Sequence, residues 1–143
     1  MNNWRQILSW KIQSDEFYNF EKVLQDKNIS YHLDNDIFII DHESHVSLNS
    51  LESLPSNIIF NNQGNIGLDS LKFLPDNIIF NNQGNVILYS LKFLPNNAQF
   101  NNQGNVNLPF LKSLPDNKYE IFKNNGIVYY NYGMKFDPRI KEE

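Results

Sequence analysis

The hydrophobic positions of this chain recur at a fixed interval of twenty residues. Val46, Ile66, Val86 and Val106 each open a triplet that ends at Leu48, Leu68, Leu88 and Leu108. Leu51, Leu71, Leu91 and Leu111 come next, then Leu54-Pro55, Leu74-Pro75, Leu94-Pro95 and Leu114-Pro115. Three copies close on one polar block, Phe-Asn-Asn-Gln-Gly-Asn, at Phe60 to Asn65, Phe80 to Asn85 and Phe100 to Asn105. Such a period marks a stack of equivalent coils. Each copy predicts two short extended pieces, typified by Val86-Ile87-Leu88 and by Ile78-Ile79-Phe80. Leu-Pro-x-Asn and Asn-Asn-Gln-Gly-Asn form the corners. Proline fixes φ at one, and glycine is expected to supply a positive φ at the other. Equal coils then stack strand on strand, about 4.8 Å apart. Repeated Leu and Phe become internal ladders, and repeated Asn become side-chain ladders.

The ends depart from the repeat. Residues 1–30 read as a helical cap. Asp15 is a candidate N-cap for a helix carrying Phe17, Phe20, Val23 and Leu24, with Asn28 as its stop. An earlier turn or two is expected from Trp4 through Ile7, Leu8 and Lys11. Residues 31–45 read as a degenerate first coil. Counting back twenty from Phe60 gives Ile40, and Asn62 and Asn65 map onto His42 and His45. Ile37 to Ile40 is the strand of that coil. The repeats occupy 46–126. After Pro115 the phase slips by two, so the block arrives late as Phe122-Lys123-Asn124-Asn125-Gly126. A closing strand is expected over 127–136, centred on Ile127 to Tyr132, and a frayed tail over 137–143. The fold class is therefore α+β: one domain, with an N-terminal helical cap on a β-solenoid of about four to five coils.

The spacing Val86-x-Leu88-x-x-Leu91-x-x-Leu94-Pro95, with an Asn after the strand, resembles leucine-rich repeats over roughly residues 37 to 130. The short copies and the Leu-Pro pair are similar to the bacterial subclass and to repeat proteins of phages and other mobile elements. Two brief segments per coil, where the family has one longer one, leave a straighter β-solenoid open as the alternative to a curved one. The resemblance implies protein binding through the exposed side chains of the strand face.

Composition narrows the function. The formal charge is −4, against a general nucleic-acid binder, which shows a basic field. Sequence-specific nucleic-acid binding is not expected. The chain has no cysteine, which removes disulfides and thiolate metal sites. No apolar run approaches the roughly 20 residues that span a bilayer, and the start lacks a signal-peptide pattern. The expectation is a protein of a bacterial cytoplasm. Asn, Ile, Lys, Phe and Tyr, all using AT-rich codons, are abundant, which points to an AT-rich bacterium or its phage.

Candidate partner-binding residues come from comparing the copies. The place between Val and Leu varies as Ser47, Gly67, Ile87 and Asn107; the place after Leu varies as Asn49, Asp69, Tyr89 and Pro109. Alternation in a strand turns these away from the internal ladder, so Ile87, Tyr89, Asp69 and Asn107 are candidates for one outer face. Lys72, Lys92 and Lys112 form a second expected column, which Glu52 interrupts in the first copy. A like-charged column suits acidic or phosphate groups, or serves as a solvated edge that blocks aggregation. Phe73 and Phe93 beside it read as side packing at a coil corner. Asp41-His42-Glu43-Ser44-His45 has metal-ligand chemistry, but its histidines are i, i+3 where the zincin helix needs i, i+4. A small metal-dependent hydrolase using His42 and His45 stands as the remote alternative. The favoured expectation is a non-catalytic interaction protein without a cofactor. Its partner is another protein, such as a host defence effector of the CRISPR nuclease kind that it blocks. A generic adaptor or a homodimer through the aromatic C-terminal strand is the alternative.

Overall fold

A computed structural model describes residues 4–141, with side chains from residue 15 onward. The chain is a β-solenoid of about five turns preceded by one long helix. The helix α1 spans Trp4–Asp26. No glycine or proline lies between Lys11 and Asp15, so nothing stops the helix there and Asp15 falls in its interior rather than at a cap. The side chains of Trp4, Ile7, Leu8 and Lys11 lie outside the described residues. The helix stops where the sequence predicts. Asn28 takes a left-handed φ of 56°. The Ile29 N–H bonds back to the Leu24 carbonyl and the Asn28 N–H to that of Gln25. This is a Schellman ending, closed by the buried pair Leu24 and Ile29. Phe17 and Phe20 then sit on Phe38 of the first coil, with ring centroids 4.5 and 4.9 Å away. The second half of the helix thus covers the open end of the stack.

The coils build two parallel sheets. Strands β1 (His32–Asp34), β2 (Ile37–Ile40), β4 (Ile58–Phe60), β6 (Ile78–Phe80) and β8 (Gln99–Phe100) form one, with only β1 antiparallel. Strands β3 (Val46–Ser47), β5 (Ile66–Gly67), β7 (Val86–Ile87), β9 (Val106–Leu108), β10 (Val128–Tyr130) and β11 (Met134–Phe136) form the other. The register is the sequence period itself. Ile58 pairs with Ile78, Phe60 with Phe80, and Val86 with Val106. Ile40 pairs with Phe60, which makes residues 37–45 a true first coil. Phe60, Phe80, Phe100 and Phe122 stack through the interior, with successive centroids 5.3, 4.9 and 5.0 Å apart. Each of the four is fully buried, as are Leu48, Leu68, Leu88 and Leu108. Because a coil has no core of its own, each buried side chain is covered mainly by its copies above and below.

Asparagine does in these corners what the sequence assigned to glycine. Asn57 and Asn77, in the Leu-Pro-x-Asn corner, hold the positive φ. Their side chains pair, Asn77 Nδ2 donating to Asn57 Oδ1 at 3.1 Å, and Asn97 continues the row at 3.2 Å. The recurring glycines do not take a positive φ; among the described glycines only Gly133 does, at 126°. They are needed for close approach. A Cβ on Gly84 would lie 2.8 Å from the Gly64 carbonyl carbon, and one on Gly104 would lie 2.8 Å from that of Gly84. In the same corner Asn62, Asn82, Asn102 and Asn124 are buried. Asn82 Nδ2 donates to the Gly64 and Asn85 carbonyls, and Asn102 Nδ2 repeats this with Gly84 and Asn105.

The two-residue slip is absorbed by a single helical turn, α2 (Lys118–Ile121). A helix advances about 1.5 Å per residue against about 3.3 Å in a strand, so it takes up extra residues without lengthening the coil. Phe122 returns to register and bridges Phe100. The closing strand is shorter than expected. It runs over Val128–Tyr130, parallel to Val106–Leu108, and then reverses through Asn131, Tyr132 and Gly133 into the antiparallel strand Met134–Phe136. The positive φ of all three turn residues makes the reversal. Phe136 folds back on Tyr119 and Phe122, at 5.1 and 6.2 Å, and so covers the far end of the phenylalanine column. The tail is not wholly frayed. The Asp137 carboxylate takes the Arg139 guanidinium at 2.8 and 2.9 Å, which holds its carboxyl below the usual range. Tyr119 Oη donates to the Ile140 carbonyl. Glu142 and Glu143 lie outside the described residues.

Candidate functional site

Each coil carries a third segment between its two strands, which reads Leu-Lys-Phe-Leu-Pro at Leu71 to Pro75 and Leu91 to Pro95. It has little ladder of its own, a single bridge joining Phe73 to Phe93. Leu71, Leu91 and Leu111 point inward and are buried, which turns the next two residues of each copy to solvent. Lys72, Lys92 and Lys112 therefore stand exposed on successive rungs. None of them makes an ion pair among the described residues, whose two such pairs are His32 with Asp41 and Arg139 with Asp137.

The phenylalanines beside them do not pack into a corner as expected. Phe73 and Phe93 lie parallel, 6.0 Å apart, yet remain 63% and 64% exposed. Each ring finds only its copy, because the buried leucines already fill the interior. In the fourth copy Ser113 replaces the aromatic, and Phe110 projects onto the same side. Tyr132 from the closing hairpin meets it edge-on at 5.3 Å. The hairpin is fixed to that coil by the Asn131 N–H on the Leu111 carbonyl and the Tyr132 N–H on the Pro109 carbonyl. Between the last two rungs and the hairpin lies a groove of about 790 Å³, lined by Lys92, Phe93, Phe110, Lys112, Leu114 and Tyr132 among others. That volume falls within the range of ligand-binding clefts.

The strand-face candidates form a row, but not a uniformly open one. Ile87 pairs with Gly67 on one side and Asn107 on the other. It is half-buried rather than exposed, since neighbours about 4.8 Å away on both sides cover a central side chain. Asn107 and Asp69 are also half-buried, and Tyr89 is exposed. The Asp69 N–H is held by Asn49 Oδ1 at 3.1 Å, and Asn49 occupies the space a Gly67 side chain would need. Ile87, Asn107 and Tyr89 thus share one face, while the lysines and phenylalanines share the next. Sequence comparison found the lysines and noted Phe110 three residues ahead of the fourth copy's aromatic place, but missed Tyr132. Phe110 falls out of phase, and Tyr132 lies beyond the last repeat.

The histidine pair has a different job. His45 Nδ1 accepts the Asn65 N–H at 2.7 Å, as Asn65 Oδ1 does for Asn85 at 2.8 Å. His42 Nδ1 accepts the Ser30 N–H at 3.1 Å and so ties the helix exit to the first coil. With Nδ1 accepting, both rings carry their proton on Nε2. Among the described residues no group of three or more His, Asp or Glu could hold a metal ion. Among them, too, no helix is long and apolar enough to cross a membrane.

No protein-family profile matches this chain, and it matches neither a curated protein nor a solved structure.

Proposed function

We propose that this protein is a non-catalytic binding module that docks another protein on its exposed side rows. One observation carries the reading. Phe73, Phe93, Phe110 and Tyr132 are all exposed along one side of the stack, with Tyr89 on the neighbouring face, although the interior is already filled. Contiguous exposed aromatics of this kind mark interaction surfaces, and aromatic anchors dominate binding energy in them. The leucine-rich-repeat resemblance supports the same class. A cytoplasmic inhibitor from a phage or mobile element, occluding a host defence effector such as a CRISPR nuclease, is the specific use proposed. Acidic charge and AT-biased composition support it.

The test is partner capture from the native host by immobilised protein, compared with Tyr89→Ala and with Phe93→Ala. Capture should fall at least tenfold in one or both variants while the thermal midpoint holds. Retention of the partner by both variants would reject the surface. A chain that turns over a substrate, with activity lost in His45→Asn, would reject the class.

A further inference from the structure

We infer that the groove beside Tyr132 takes an extended acidic segment of a partner protein, anchored by one bulky apolar side chain. The inference rests on the protein-binding reading above and names the partner's chemistry. Charge is the first support. The chain carries 16 acidic and 12 basic residues, yet among the described residues no acidic side chain lines the groove, and Lys92 and Lys112 flank it. With Lys72 they form a column of three exposed ammonium groups on adjacent rungs, with no ion pair among the described residues. Like charges so arranged repel one another, and a carboxylate-bearing segment relieves this. Two rungs span about 10 Å, the length of about three residues of extended chain. Carboxylates about three residues apart therefore match the column.

Shape is the second support. Phe93, Phe110, Leu114 and Pro115 give the groove an apolar floor wide enough for an aromatic or leucine side chain. The backbone is the third. Tyr132 holds a φ of 58°, a region that strains any residue with a bulky side chain. Tyr132 as a whole is 71% exposed, so burial does not offset the strain. Asparagine or glycine would suit this turn better. What tyrosine adds is a ring held against Phe110 at the mouth of the groove. Backbone strain at an exposed contact residue of this kind gathers at binding sites.

Lysines beside aromatics also describe a platform for single-stranded nucleic acid. Here the stacked pair Phe73 and Phe93 lies within 4° of parallel, each ring turning one face to its copy. The net charge of −4 opposes a phosphate backbone. A protein segment is the better fit.

The test selects random twelve-residue peptides displayed on phage against the immobilised full chain. Enriched peptides are then labelled with fluorescein and titrated by anisotropy, beside a labelled twelve-nucleotide oligo(dT). Enriched sequences should place Asp or Glu within three residues of Trp, Phe or Leu. Lys92→Glu combined with Lys112→Glu should weaken their binding at least tenfold. Tyr132→Asn should weaken it at least threefold while the thermal midpoint holds or rises. Any other combination overturns the inference, including no enrichment, basic peptides, or tighter binding of oligo(dT). If native partner capture survives the lysine reversals but is lost in Tyr89→Ala, the binding reading stands and this inference alone fails.

Discussion

The side-chain oxygen of Asn85 accepts the backbone N–H of Asn105 at 2.8 Å, one coil further along the stack. Asn105 passes the same bond on to Ile127, and Asn65 makes it for Asn85. One residue type at one repeat position therefore satisfies a corner N–H that the two sheets leave unpaired. Asn85→Ala should lower stability by about 1–3 kcal/mol, the cost of stranding a part-buried donor. Asn85→Asp keeps the acceptor and should lose clearly less. Urea unfolding at neutral pH separates the two; equal losses would mean that the bond is not the reason for asparagine.

His45 should behave as a misspelled asparagine. It accepts the Asn65 N–H from the place where later coils use Asn Oδ1. His45→Asn is therefore expected to leave the thermal midpoint within about 0.5 kcal/mol equivalent of the parent. His45→Ala should fall by about 1 kcal/mol or more. Partner capture should survive His45→Asn.

The repeat glycines should be intolerant for a reason of space rather than φ. At Gly84 an added Cβ would meet the Gly64 and Asn65 backbone, which cannot swing aside. Gly84→Ala should cost about 1–3 kcal/mol through overpacking. At Gly67 the nearest obstacle is the Asn49 side chain, 2.8 Å away, which can move. Gly67→Ala should cost less than Gly84→Ala in the same urea assay. The reverse order would contradict the stacking of the corners.

Phe136 should protect the far end of the stack. It is buried on Tyr119 and Phe122. Phe136→Ala should cost about 3 kcal/mol and uncover apolar surface at a sheet end. Size-exclusion chromatography with light scattering should then show concentration-dependent association absent from the parent chain.

Much of the stack was legible because it is written in like-for-like positions. The pairing of Val86 with Val106 and the column from Phe60 to Phe100 follow from the period alone. The degenerate first coil was legible from Ile40, and the helix end from Asn28. Other features were hidden by longer-range causes. Asp15 looks like a cap, but a helix continues through any cap residue when no breaker precedes it. The close approach of Gly84 to Gly64 depends on how one corner seats on the next, which no single copy reveals. Phe73 and Phe93 read as packed because aromatics usually are, yet Leu71 and Leu91 had already filled the interior. Tyr132 belongs to no repeat. Only the hairpin turn brings it to Phe110, and so the groove could not be read from spacing.

The central claim is that identical positions in successive copies touch. It can be tested with cysteines, since the chain has none of its own. Phe73 and Phe93 are bridge partners twenty residues apart. Their Cα atoms should lie about 4.8 Å apart, within the span of a disulfide. Phe73→Cys with Phe93→Cys should oxidise to an intramolecular disulfide in the folded monomer, read by intact mass and non-reducing mobility, whereas Phe73→Cys with Lys123→Cys should not. Free thiols or only intermolecular bonds in the first pair would contradict the stack.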